Sequence, residues 1–326
     1  AVASGIAQPL ELRPAGGAEC ADLLDHLAAS RAARRQGEIQ QQLAGGLERN
    51  GQGNGHCPLS PEVGRRTSAP VTSELFDRRL RAMRRDRAAR AGPELLLHDR
   101  TFEECLDRLR DIPRPFERSL LIGCPSLEWP QRLSEVTQSI DVVDPGSMFA
   151  AAAGGQMIEE DRFDFGEERY DLAVAVGTLD TVNDLPLALR LIHRALKPDA
   201  PFLGALAGGN SLATLRMSLI EAGRMEGRVV ARTHPRIEGP TLAGLLSAAG
   251  FAMTVVDIDR ITLRYSSLHS LVRDLRAMAA SSMLAKRPPN ISRDEFRRAS
   301  EAFAALGTEG RTEEQIEILH FLGWRR

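Results

Sequence analysis

One glycine and a scatter of acids pose the first chemical question. The loop Gly123-Cys124-Pro125-Ser126-Leu127-Glu128 leaves the short apolar run 119–124, and a second run, Ile140-Asp141-Val142-Val143-Asp144, ends on Asp144, 21 positions after Gly123. In an open parallel sheet, an acid about 20 residues past the first strand's loop can accept both ribose hydroxyls of a nucleoside-type cofactor. Asp144 before Pro145 is also a plain exit from a strand into a turn. Glu159-Glu160-Asp161 follows a brief strand predicted over 156–159, where an acid could reach an adenine amino group; a solvated acidic loop is the alternative. Asp180 falls at the mouth of the same crevice, suited to a cationic substrate group or simply to solvent. Asn183 and Asp184 precede a helix with Pro186 near its start, so at least one is explained by N-capping. His193 and His234 have no carboxylate or cysteine at ligand spacing, so neither a metal site nor a catalytic triad is expected.

The elements that must position these residues follow from hydrophobic pattern. Runs at 119–124, 140–144, 171–177 and 201–206 are short and continuous, as strands covered on both faces require. Further strands are predicted at 156–159, 253–258 and 315–322. Helices are predicted at 184–196, 211–222, 241–249, 268–280 and 293–305. Strands alternating with helices mean an α/β domain with a doubly wound, mostly parallel seven-stranded sheet. Before it, residues 71–115 carry two helices. The first, 72–90, holds Arg78, Arg79, Arg81, Arg84, Arg85, Arg87 and Arg90 beside an apolar stripe of Leu75, Phe76, Leu80 and Met83. It reads as a helix with a solvated cationic face, or one offering Arg78–Arg90 to an acidic partner or a membrane surface. The second, 99–109, turns Phe102, Cys105, Leu106 and Leu109 inward. Residues 1–70 are Gly-, Gln-, Ser- and Pro-rich, a disordered extension or the product of a mis-called start, and 116–326 form the main domain.

Composition narrows the function classes. The chain has 326 residues, 43% hydrophobic and 26% charged, with a formal net charge of −2. That balance excludes a wholly disordered chain and gives no support for bulk nucleic-acid binding. No apolar run is long enough to cross a bilayer. Cys20, Cys57, Cys105 and Cys124 lie far apart, which suits reduced thiols and a cytoplasmic location.

The stretch 170–206, YDLAVAVGTLDTVNDLPLALRLIHRALKPDAPFLGAL, together with LAGLLSAAGF at 242–251, resembles the class I S-adenosylmethionine-dependent methyltransferases. LFDRRL at 75–80, VNDLP at 182–186, GALAGGNSLATLR at 204–216 and YSSLHSLVRDLRAM at 265–278 narrow the resemblance. They are similar to the methyltransferase-like mitochondrial complex I assembly factor and its bacterial relatives, and more distantly to the biotin-pathway malonyl carrier-protein methyltransferases. The resemblance implies a Rossmann-like fold with N-terminal helices and helical insertions. It implies S-adenosylmethionine held by Gly123, Cys124, Asp144, Glu160, Asp161, Gly177, Thr178 and Leu179. It also implies a substrate wall including Asn210 and Arg216, which with Asp180 are the candidate catalytic residues. The implied substrate is a protein side chain, on a respiratory-complex subunit, which is methylated or modified at arginine.

The cofactor loop departs from the family's pattern. Its second glycine is Pro125, which has no N–H to donate, its third is Leu127, and its opening acid is Leu121. Two further readings therefore stand beside a methyltransferase: a non-catalytic assembly or scaffold protein, and a methyltransferase of small molecules or carrier proteins. A crevice open at Gly123, Asp144 and Gly177 is expected of the enzyme. One filled by Leu127 or Trp129 is expected of the scaffold.

Overall fold

The computed structural model describes residues 74–326 except 225, 226, 228, 229 and 231, so the expected extension at 1–70 lies outside the described residues. Two helices lead in, α1 (Arg78–Ala91) and α2 (Leu96–Arg110). Then come β1 (Phe116–Ile122), α3 (Glu128–Leu133), β2 (Thr137–Asp144), α4 (Ser147–Ala152), β3 (Gln156–Met157) and β4 (Leu172–Val176). A single 3-10 turn at Leu179–Thr181 precedes α5 (Leu185–Ala195), β5 (Pro201–Gly208), α6 (Ala213–Arg224) and α7 (Gly239–Ala248). The chain closes with β6 (Phe251–Tyr265), α8 (Leu268–Ala277), α9 (Arg293–Ala305) and β7 (Thr312–Arg325).

The seven strands form one sheet in the order β3-β2-β1-β4-β5-β7-β6. The first five are parallel and β7 runs antiparallel to both its neighbours. Strand order reverses between β1 and β4, which puts the ligand crevice beyond their carboxyl ends. The central strands are buried on both faces for the reason their sequences suggested. Along β4, Ala173 and Ala175 join the core under α5 and α7, while Leu172, Val174 and Val176 join the core under α2 and α3.

The sheet departs from the sequence expectation mainly at its antiparallel edge. β6 is 15 residues long and pairs with β7 from Phe251↔Arg325 to Tyr265↔Thr312. The polar–apolar alternation Arg260-Ile261-Thr262-Leu263-Arg264-Tyr265 carries this extension, and a search for continuous apolar runs overlooks it. The projecting ribbon packs Ile316 and Ile318 against Leu215 and Leu219 of α6, Leu271 and Leu275 of α8, and Phe303 of α9. Tyr265 sits in that core. The six-residue helices α3 and α4 are too short to show a helical period, so the sequence did not announce them.

Candidate functional site

Two glycines shape the floor of the crevice. Gly123 follows β1 with φ +81°, and a Cβ there would lie 2.6 Å from the Val176 carbonyl oxygen. Gly177 follows β4 with φ +68°, and a Cβ there would meet the His98 ring at 2.9 Å. Only glycine adopts such backbone without strain while letting neighbouring groups approach so closely.

Asp144, at the end of β2, is fully buried and its carboxylate is already saturated. One oxygen accepts from Arg85 Nε at 2.7 Å and the Gly146 N–H at 2.7 Å. The other accepts from Arg85 Nη2 at 2.5 Å and the Cys124 N–H at 2.9 Å. Arg85 comes from α1, and it is one of three arginines that this helix sends into the crevice. Arg81 grips Glu160 with two bonds, 2.6 and 2.8 Å, and also donates to the Thr178 carbonyl (2.8 Å) and to Thr181 Oγ1 (3.0 Å). Arg78 grips Asp161 with bonds of 2.5 and 2.7 Å and reaches Glu159 at 3.0 Å. Fork-to-carboxylate pairs of this kind are strong and geometrically specific. Burial tends to raise the Asp161 carboxyl, but hydrogen bonding and charge from Arg78 win and hold it below the ordinary carboxylate range. Glu159 goes the other way, raised chiefly by burial.

The expected solvated cationic face is therefore corrected. Arg81, Arg84 and Arg85 are buried, Arg78 is half-buried, and Met83, expected in the apolar stripe, is 51% exposed. A guanidinium can face a domain when carboxylates wait there, and periodicity alone does not reveal that. Asp77 caps α1 by accepting from the Leu80 N–H. Asn183 exchanges two hydrogen bonds with the Phe76 backbone, while Asp184 caps α5 through the Leu187 N–H. Phe76 also bridges to Leu284, beyond α8. The motifs LFDRRL and VNDLP thus meet in space: their shared task is to seat α1.

Leu127 and Trp129 do not fill the crevice. Leu127 is 65% exposed, so it is not the obstruction its position suggested. Trp129 is fully buried away from it, stacked on Phe102 at 4.4 Å with Nε1 donating to Asp99 at 2.7 Å. Arg85 instead occupies the place beside Asp144 where ribose hydroxyls were expected. With α1 seated, the residues present do not fit a nucleoside cofactor, because the acid that would accept the ribose hydroxyls has four internal donors.

The expected cofactor residues nonetheless gather at one place. Gly123, Cys124, Asp144, Gly177 and Thr178 surround the ends of β1, β2 and β4, with Glu160 and Asp161 beyond β3. Leu179 belongs to the core under α5. The Cys124 thiol lies against the Ser126 carbonyl and burial pushes it up to about 12, so it is no nucleophile.

Beside this acidic end lies a cleft walled by Leu97, Leu206, Leu212, Met278, Ile316 and Ile318. Asp180 and Arg236 line it, 3.7 Å apart. Burial raises the Asp180 carboxyl, against the opposing pull of Arg236 and Arg81. Of the three candidate catalytic residues only Asp180 lines this cleft. Asn210 and Arg216 bond to each other at the surface and are not among its lining residues. His98 also lines it, and burial followed by the charge of Arg85 lowers its imidazole to about 4. Sequence reasoning missed His98 and Arg236, which carry no motif and lie far from Asp180 along the chain.

The methyltransferase-domain family matches residues 93–256. Human arginine-hydroxylase NDUFAF5, a mitochondrial protein, is 32% identical over 276 residues, covering 80% of each chain. The chain belongs to this family of methyltransferase-domain proteins. The zebrafish (Danio rerio) NDUFAF5 is 30% identical over 265 residues, spanning 77% of this chain and 83% of the relative. Among solved structures, N-methyltransferase NodS of Bradyrhizobium japonicum, in complex with S-adenosyl-L-homocysteine, covers 75% of this chain and 98% of its own at 14% identity and a TM-score of 0.42. Among the described residues, no helix of this methyltransferase-domain protein is long and apolar enough to cross a membrane.

Proposed function

We propose that this methyltransferase-domain protein binds and modifies an arginine side chain of a protein substrate. One observation carries the reading: an aliphatic-walled cleft has a half-buried carboxylate, Asp180, at its polar end. A long methylene chain ending in a cation matches such a site, since the stem buries against Leu97, Leu206 and Ile318 while the head takes the charge. Arg236, 3.7 Å from Asp180, makes only a loose ion pair, which an incoming guanidinium can better with a planar fork. The NDUFAF5 relatives are named arginine-hydroxylases, which agrees with that chemistry. The respiratory-complex subunit implied by the resemblance belongs to the same proposal, as does a cytoplasmic location, although the NDUFAF5 relatives are named mitochondrial. Arg85 of α1 holds Asp144, the expected ribose acceptor.

The test is binding and mass change together. A labelled peptide carrying one arginine, and its lysine and norleucine counterparts, are titrated into the full chain and into Asp180→Asn. The arginine peptide should bind best, and the variant should lose that preference. Equal binding of all three peptides would refute the reading. Mass spectrometry of the recovered arginine peptide, with and without S-adenosylmethionine, then distinguishes addition of an oxygen from addition of a methylene. A second reading, assembly without chemistry, is favoured by the four internal donors on Asp144; it expects binding with no mass change.

A further inference from the structure

The acidic end of the crevice, where a ligand was expected, holds a part of the chain itself. We infer that it has two mutually exclusive occupants, the arginine face of α1 and a nucleoside-type cofactor, so that α1 withdraws when such a cofactor binds.

The geometry is that of a competitor. Arg78, Arg81 and Arg85 lie at i, i+3 and i+7, one face of a helix, and each takes a different carboxylate by a two-bond fork. The carboxylates come from the ends of β2 and from the segment after β3, where a doubly wound domain binds the ribose and base of a nucleoside. Asp144 cannot accept a ribose hydroxyl and the Arg85 fork together, because its two oxygens already take four donors. The helix also has somewhere to go. It ends at Gly92, with φ +87°, and a Cβ there would meet nothing within 4 Å; Pro93 follows. A turn at that junction would lift α1 off the crevice, at the cost of its Ala88 packing on Phe149 and Ala279 and of the Asp77 N–H bond to the Met283 carbonyl. The side of α1 away from the crevice carries the exposed Arg79, Met83 and Arg90, so nothing described covers it. The site thus takes guanidinium groups or a nucleoside at the same carboxylates, and occupancy by one lowers affinity for the other by the same factor.

The experiment uses the full chain and S-adenosylhomocysteine as the probe, and it reads binding rather than activity. Its outcome is therefore independent of the arginine-peptide test above. Calorimetric titration of the unaltered chain and of Arg85→Ala should show about a tenfold or greater gain in affinity in the variant, the factor by which a docked competitor suppresses apparent binding. Hydrogen exchange of the unaltered chain at saturating S-adenosylhomocysteine should show faster exchange across residues 78–91. Equal or weaker binding by Arg85→Ala would overturn the inference. So would exchange across 78–91 that is unchanged or slowed, or absence of binding by either protein at millimolar probe. Should Arg85→Ala fail to fold, the exchange measurement on the unaltered chain decides alone.

Discussion

Replacing Arg81 with methionine tests whether the crevice pairs hold the N-terminal helix in place. Arg81 and Glu160 are 1% and 0% exposed, and two bonds of 2.6 and 2.8 Å join them. Arg81→Met strands the fully buried Glu160 carboxylate and removes the donors to the Thr178 carbonyl and Thr181 Oγ1. Breaking a buried pair from one side costs about 3–5 kcal/mol, because an uncompensated charge stays behind. Converted at about 2–4 °C per kcal/mol for a domain of this size, the melting temperature should fall by roughly 6–20 °C. Removing both charges, as Arg81→Met with Glu160→Met, should return about 2 kcal/mol or more, since the stranded charge is then gone. The assay is urea unfolding of the parent, both single variants and the double variant, followed by circular dichroism. Arg264→Met serves as the control; its pair with Glu313 is 61% and 52% exposed and should be worth no more than about 1 kcal/mol. A cost below about 1 kcal/mol for Arg81→Met, or strict additivity in the double variant, would show that the crevice pairs do not hold α1.

Gly177→Ala should destabilise by about 1–3 kcal/mol, since alanine must hold φ near +68° while its Cβ presses the His98 ring; thermal melting reads this. His98 gives a pH dependence of known sign. Its imidazole takes a proton near 6.5 when unfolded but only near about 4 when folded, so its stabilising effect is complete above 6.5 and drains away as pH falls towards 4. In His98→Gln that component should vanish, flattening the urea midpoint across this window. Cys105 and Cys124 are buried with thiols pushed up to about 12. Both should resist a thiol reagent near neutral pH in the native chain and react on unfolding, as peptide mapping by mass spectrometry would show.

How far the sequence led differs between the fold and the site. The central strands and most helices were legible because their signals are local: an apolar run marks a doubly covered strand such as β4, and a cap marks a helix start such as Asp184. The antiparallel extension of β6 was not, since a half-exposed strand with charges on alternate positions looks like a loop to a search for apolar runs. Asp144, Glu160 and Asp161 were found because spacing from Gly123 and position after a strand place them at the crevice whatever the rest of the chain does.

What occupies those acids was decided only by tertiary structure. The arginines of α1 read as a solvated surface because seven cations in 13 residues usually are one. Arg85 meets Asp144 across 59 positions and Arg81 meets Glu160 across 79, and no local pattern encodes partners so far apart. The same holds for Asp180 and Arg236, brought together by the turn after β4 and the segment before α7. Residue type and spacing determined where ligand chemistry could sit in this protein. Folding determined that the chain's own arginines sit there, because buried carboxylates require counter-charges and α1 was the element positioned to supply them.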